Sequence, residues 1–174
     1  MITIEIMTRE LCHKLYRDFQ NDPCIYEDMA KFAPFTYQEA WVNAYFDRQA
    51  AKQRIYFAVM LDGQPIGEVL LKQINQENRS CVLGIHLQND TVKGKGYGTC
   101  AETLAIEYAF DRLGLETIYA DAVRKNTRSQ HVLEKVGFRF IREDETFRYY
   151  KIERSEVKNS PTKLHQLTND CPAF

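Results

Sequence analysis

Three glycines alternate with other residues in the stretch 93–99, Lys-Gly-Lys-Gly-Tyr-Gly-Thr, and no other part of the chain limits the fold so tightly. An apolar run precedes it (Cys81, Val82, Leu83, Ile85, Leu87). A helical pattern follows, with Ala101, Leu104, Ala105 and Tyr108 on one face and Thr103, Glu107 and Asp111 on the other. The spacing predicts strand, glycine loop, helix. Gly94, Gly96 and Gly98 let the backbone turn tightly and leave its N–H groups uncovered at a helix N-terminus, where the helix dipole adds partial positive charge. Such a loop binds phosphate.

Spacing separates the families that use this device. A Walker A loop carries Lys-Ser or Lys-Thr after its last glycine, but Gly98 is followed by Thr99 and Cys100. A dinucleotide fingerprint, G-x-G-x-x-G, opens a βαβ unit, whereas these glycines alternate strictly and lie in mid-chain. The stretch instead resembles motif A of the GCN5-related N-acetyltransferases: Gln or Arg, two residues, Gly, any residue, then Gly or Ala. Lys93, Gly96 and Gly98 take those places, with Lys for the usual Gln or Arg. Farther along, the run from Asn126 through Arg128, Ser129, Leu133, Glu134 and Lys135 to Gly137 and Phe138 resembles motif B of the same family. Its ends also make local sense, since Asn126 can cap a helix and Gly137 can supply a left-handed C′ residue. Leu-Gly-Ile at 83–85, Gly-Lys-Gly-Tyr-Gly-Thr and Val-Leu-Glu-Lys-Val-Gly-Phe look most like the branch of ribosomal-protein alanine acetyltransferases and spermidine acetyltransferases. The likeness runs from about residue 54 to 150.

Composition bounds the rest. A chain of 174 residues fits one domain that buries about 70% of its unfolded surface without staples. A net charge of −1 predicts no nucleic acid and no membrane partner. The five cysteines (Cys12, Cys24, Cys81, Cys100, Cys171) are scattered and lack Cys-x-x-Cys spacing, so we expect reduced thiols, no metal site and a cytoplasmic protein. The N-terminus lacks the pattern of a secretory signal, and no apolar run reaches membrane-spanning length.

In chain order, Ile2, Ile4 and Ile6 alternate as a half-buried strand, and Thr8 caps a helix carrying Leu11, Leu15 and Phe19. Thr36 and Glu39 form a capping box for a helix through about Ala51, with Trp41, Ala44 and Tyr45 inward. Strands at 54–61 and 65–74 join in a hairpin at Asp62-Gly63, and the strand before the glycine loop follows. A strand at 117–123 then lies parallel to that one, making a βαβ crossover. The motif B helix and two last strands, 138–142 and 146–153, complete a domain spanning 1–154; the polar segment 155–174 reads as a tail. The resemblance implies an α/β (α+β) fold: a single domain with a mixed, mostly antiparallel sheet of six or seven strands, a splayed central parallel pair, and helices on both faces.

It also implies acetyl transfer from acetyl-CoA to a primary amine by direct attack, without an acyl-enzyme. In that reading the strand edge at Leu87, Gln88 and Asn89 pairs with the pantetheine arm. Lys93, Gly94, Lys95, Gly96, Tyr97, Gly98 and Thr99 hold the pyrophosphate, and Asn126, Arg128 and Ser129 assist from motif B. Each cation taken alone reads equally as a solvated surface charge. The Tyr that often precedes Glu-Lys in motif B is Leu133 here. Ser129 can hydrogen-bond the sulfur in its place, or simply start a helix. The acceptor is a small cationic amine such as a polyamine, or a protein N-terminal amine as on a ribosomal protein; a non-catalytic acetyl-CoA-binding module and a homodimer are also consistent. Tyr26, Glu27 and Phe35 suggest an aromatic, acidic rim for a cation, or ordinary core and surface.

An amine with a pKa near 10.4 carries a deficit of roughly 4 to 5 kcal/mol for its free-base form at pH 7, so some group should drain its proton. Glu68 and His86 are the candidates, each a polar residue in an apolar strand. Pairing of Ile74 with Ser80 sets them opposite each other on one face, and pairing of Ile74 with Arg79 sends them to opposite faces. Since Leu83, Ile85 and Leu87 share one face, His86 should look the other way, flanked by Glu68 and Lys72.

Overall fold

The computed structural model describes residues 1–51 and 54–158. Thr8 accepts from the Leu11 amide and starts helix α1 (Arg9–Arg17) directly after strand β1 (Ile2–Ile6). Helix α2 (Glu39–Ala51) follows two short 3₁₀ turns. Asp62 and Gly63, at φ 49° and 78°, make the two-residue turn between β2 (Ile55–Leu61) and β3 (Gln64–Asn75). Strand β4 (Ser80–Leu87) feeds the glycine loop and α3 (Tyr97–Glu107), which ends in a π-helical turn at Tyr108–Arg112. Strand β5 (Thr117–Val123), helix α4 (Thr127–Val136), strands β6 (Arg139–Glu143) and β7 (Phe147–Glu153) and the short α5 (Arg154–Lys158) follow. Helix α5 crosses the expected domain boundary at residue 154, and positions 159–174 of the expected tail lie outside the described residues.

The sheet has seven strands in the order β1-β2-β3-β4-β5-β7-β6. Its neighbours are antiparallel except β4 and β5, the parallel pair spanned by α3. That ladder runs only from Ser80↔Thr117 to Leu83↔Ala120. Residues 84–87 of β4 thus extend past it, and the sheet opens there.

Period-2 alternation divides the apolar residues between two layers. Phe57, Val59, Val69, Leu71 and Leu83 pack with Ala101, Ala105 and Ile106 of α3 in the larger core. Tyr56, Ala58, Met60 and Leu70 pack on the other face with Cys12, Leu15 and Tyr16 of α1 and Val42 of α2. Among the described residues no helix is long and apolar enough to cross a membrane.

Several local expectations need correction. Ile6 is 60% exposed because β1 is an edge strand, and Met7 turns inward beyond it. Helix α2 begins at Glu39, so Thr36 stands outside it, and the inward stripe is Val42, Tyr45, Phe46 and Gln49; Trp41, 40% exposed, lies at its margin with its ring on Tyr16, Phe35 and Tyr45, and Ala44 faces out. Thr103 is fully buried and donates to the Thr99 carbonyl at 2.9 Å, since α3 is packed between the sheet and α4. Cys12, Cys24 and Cys81 are free thiols, and Cys171 lies outside the described residues. At the β3–β4 turn Ser80 pairs with Asn75 rather than Ile74. A bulge at Gln73, φ 51°, absorbs the extra residue and restores the register that sets Glu68 opposite His86.

Close approach of β3 to β4 depends on Gly67. A Cβ there would lie 2.7 Å from the His86 carbonyl oxygen and 3.3 Å from Leu87 Cα, both backbone atoms. Gly67→Ala should cost about 1–3 kcal/mol in urea denaturation. Gly84→Ala, whose Cβ would meet only the movable end of Lys72 at 3.2 Å, should stay within about 0.5 kcal/mol of wild type.

Candidate active site

Alternation along β4 gives its two faces different tasks. Leu87 and Ile85 look toward α3: a Cβ on Gly98 would touch Leu87 Cδ1 at 3.7 Å and Ile85 Cδ1 at 4.0 Å. His86 looks the opposite way, toward α1 and α2, with Nδ1 3.4 Å from Glu68 Oε1. Where the parallel ladder opens, a cleft of about 330 Å³ joins the two sides. Gly98, Thr99 and Glu102 of α3 and Ser129 and Val132 of α4 line one end, while Phe19, Gln20, Asp22 and Ile25 line the other. Ile85, His86 and Leu87 line the stretch between.

Glu68 is fully buried behind His86. Tyr16 donates to Oε1 at 3.1 Å, Tyr45 to Oε1 at 2.8 Å, and Tyr56 to Oε2. Burial opposes ionisation of this carboxyl, but the hydrogen bond and charge of His86 and the hydroxyls of Tyr56 and Tyr45 outweigh it and hold the group below its ordinary range. Burial first, and then the Glu68 charge, push all three phenols well up, so they remain donors. With Nδ1 facing a carboxylate, the tautomer that satisfies the pair carries its proton there and leaves Nε2 as a base.

The glycine loop has the form of an anion cradle. Gly94 and Gly96 have φ of 73° and 82°, and Gly96 caps α3 with no side-chain hydrogen bond. The first amides of α3 therefore have no competing side-chain acceptor. Lys93 Nζ bridges Asp22 at 2.8 Å and Asp90 at 3.1 Å, tying the loop to the opposite wall of the cleft. Arg128 lies 3.8 Å from Asp90. Asn126 caps α4 by accepting from the Ser129 amide, and Gly137 closes that helix at φ 108°.

Of the residues singled out from sequence, His86, Leu87, Lys93, Gly94, Gly96, Gly98, Thr99, Asn126, Arg128 and Ser129 line the cleft. Glu68 stands one layer behind. Others are placed elsewhere: Gln88 donates to the Leu15 carbonyl at 2.8 Å, and Asn89 donates to the Asp18 carbonyl at 3.1 Å while its Oδ1 caps the turn at Thr91. Tyr97 is buried in the core and Lys95 is exposed. Nor does the fold bring the expected rim to the cleft. Tyr26 packs on Phe32, the Glu27 carbonyl faces Lys125, and Phe35 packs behind Phe19.

Phe19 is expected in the apolar stripe of the first helix, but α1 ends at Arg17 and Phe19 lines the cleft beyond it; sequence reasoning missed Gln20, Asp22 and Ile25, which come from an irregular segment without a period. It also missed Glu102, although the spacing from Gly98 on one helix face was a usable signal. Glu102 is 1% exposed, its Oε2 has no hydrogen-bond partner among the described residues, and burial pushes its carboxyl up to about 8. Among the described residues no cluster of His, Cys, Asp or Glu could hold a metal ion.

A glycine loop at the head of a crossover helix, an opened parallel pair and a histidine at the opening, all on one cleft, define an α/β protein with its site at the gap in its sheet. Residues 4–139 match the acetyltransferase (GNAT) domain, and the chain belongs to that family. It is 34% identical over 82 residues to the spermidine N(1)-acetyltransferase of Escherichia coli (strain K12), covering 47% of this chain and 44% of that protein. It is 30% identical over 103 residues to the putative ribosomal N-acetyltransferase YdaF of Bacillus subtilis (strain 168), covering 59% and 56%. The chain thus spans about half the length of these curated relatives. In fold it is similar to the spermidine N-acetyltransferase of Vibrio cholerae solved with CoA and spermine, at a TM-score of 0.74 and 20% identity over 91% of this chain and 98% of that one.

Tyr56 is the donor to Glu68 Oε2. Tyr56→Phe should cost about 1.5–3 kcal/mol at pH 7, the range for a hydrogen bond to a charged group. The hydroxyl favours the ionised carboxyl, so wild-type Glu68 titrates lower than in the variant. The added stability is present above the ordinary carboxylate range and is lost as the pH falls through the folded-state value. Urea denaturation of both proteins between pH 7 and pH 3 should show the gap narrowing with acid.

Proposed function

We propose that the protein is an acetyl-CoA-dependent N-acetyltransferase whose acceptor is a small cationic amine of the polyamine type, with His86 as general base. The observation that carries the reading is the pairing of Glu68 with His86 at the open end of the parallel ladder, on the cleft that the glycine loop also lines. The α3 amides would hold the diphosphate, and the donor's arm would follow residues 84–87 of β4 through the gap. The amine then enters from the Phe19 and Asp22 side. His86 Nε2 takes a proton from the ammonium and so frees its lone pair; the neutral nitrogen then attacks the thioester carbonyl, the adduct's second N–H proton passes to water, and the C–S bond breaks to release thiolate. Glu68 is a positioning residue: it holds the ring and balances the imidazolium that forms. The thiolate leaves readily, because a thiol pKa near 8.5 forfeits only about 2 kcal/mol at pH 7. The absence of Tyr at position 133 is tolerable on that account.

Support for a polyamine comes from the likeness to the Escherichia coli spermidine enzyme. The likeness to YdaF favours a protein N-terminal amine as the second reading. Release of CoA thiol should be followed with acetyl-CoA and a panel of spermidine, spermine, an aminoglycoside and a peptide with a free N-terminus. Turnover with the polyamines is expected; turnover with the peptide alone selects the second reading, and thiol release with none of them overturns the enzyme reading. With a saturating acceptor, His86→Ala should lower kcat by about 10²-fold or more, and Glu68→Gln by less. Near-wild-type kcat and pH dependence in both would remove them from the mechanism.

Gly98→Asp separates cofactor binding from folding. Its Cβ meets only ordinary contacts, and Asp in the first turn of a helix is favoured by propensity over Gly and by the dipole. The variant should therefore keep its melting temperature while acetyl-CoA, which at a hundredfold excess over Kd should stabilise wild type by about 2.7 kcal/mol, loses most of its effect. Equal stabilisation of both proteins would show that the loop is only a turn.

A further inference from the structure

Glu102 lies one helical turn beyond Gly98 on α3, among Gly98, Ala101 and Ala105, on the side that packs toward β4. It is 1% exposed, lines the cleft, and keeps Oε2 without a hydrogen-bond partner among the described residues. Leucine would serve better if the position only filled space, because an unsatisfied buried polar atom costs stability.

We propose that Glu102, as a neutral carboxylic acid, binds the amide groups of the arm that joins the phosphates of the acyl donor to its thioester. The proposal rests on the acetyl-CoA reading above. The position itself points to the arm. Phosphates seated on the α3 amides and a reacting carbonyl beside His86 leave the second turn of α3 alongside the stretch between them, about 6 Å from Gly98 along the helix axis. That stretch of coenzyme A carries two amides, each with a donor and an acceptor that need partners once water is excluded. A protonated carboxyl offers one O–H donor and a carbonyl acceptor, matching an amide in either orientation. A carboxylate would offer acceptors only and would add negative charge near the diphosphate. Burial favours the neutral form, with the carboxyl pushed up to about 8, and the phosphates of a bound ligand push in the same direction.

Calorimetric titration with CoA, and with adenosine 3′,5′-bisphosphate as a ligand that lacks the arm, tests this. Glu102→Gln, which keeps a donor and an acceptor, should bind CoA within about threefold of wild type. Glu102→Leu should bind it about tenfold more weakly while binding the bisphosphate normally. Between pH 7 and pH 9 the affinity of wild type should fall relative to that of Glu102→Gln. Asp22, His86, Lys93, Arg128, His131 and Lys135 also face the cleft, and they are common to both proteins and cancel in the comparison. An infrared band for a protonated carboxyl should be present at pH 7 in wild type and missing from both variants. Normal CoA binding by Glu102→Leu, or an equal loss for CoA and the bisphosphate, overturns the proposal. A folded wild type that binds no CoA at all overturns the acetyl-CoA reading and this proposal with it.

Discussion

A buried carboxylate ties this structure together. Glu68 gathers hydroxyls from α1 (Tyr16), α2 (Tyr45) and β2 (Tyr56), and the ring of His86 from β4. These groups come from both helices of one layer and from both strands that flank β3, so a single anion fixes how that layer sits on the sheet. An isolated buried charge would be costly, whereas one with three phenolic donors and a histidine is well compensated. Removing a donor therefore harms both the packing of the layer and the setting of the histidine.

The same register gives the cleft its two-sided character. Along β4, Ile85 and Leu87 face α3 and the glycine loop, while His86 faces α1 and Glu68. The strand leaves β5 at Leu83, just before these residues, and the opening of the ladder turns two faces of a sheet into two walls of one passage. Lys93 bridges the walls through Asp22, so the charge of the loop is already partly neutralised by the residue facing it.

What the sequence disclosed follows from how local each signal is. The Asp62-Gly63 hairpin, the Asn126 and Gly137 helix ends and the crossover through α3 are set by nearest neighbours or strict periods. The register of Glu68 against His86 is not, because a strict period of two from Asn75↔Ser80 sets Glu68 opposite Leu87, and only the bulge at Gln73 shifts it to His86. The convergence of Tyr16, Tyr45 and Tyr56 on Glu68 was not legible, because those residues lie on elements that meet only in the folded protein. Tyr26, Glu27 and Phe35 do not line the cleft, whereas Phe19, Gln20, Asp22 and Ile25 of the same region do: residues 18–38 form no long period, and composition alone does not say which aromatic turns inward. The backbone edge expected to be free at Gln88 is engaged on both sides, its N–H donating to the Ile66 carbonyl and its carbonyl accepting from the Gln20 amide, the second a long-range contact that strand parity does not reveal. Glu102 was readable from its four-residue spacing, but a charged residue in a helix is ordinarily assigned to the solvent side.

The bulge at Gln73 has a bearing on how the hairpin can change. Strand pairing has a period of two, so in an unbroken hairpin a one-residue change in the turn would rotate every later side chain to the wrong face. Here the irregularity between Lys72 and Asn75 lies between the turn and the Glu68–His86 rung. It works as an expansion joint: a residue added to or lost from 76–79 can be taken up by removing or repeating the bulge. The rim of this hairpin is thereby free to drift in length and composition over evolutionary time while the histidine keeps its orientation.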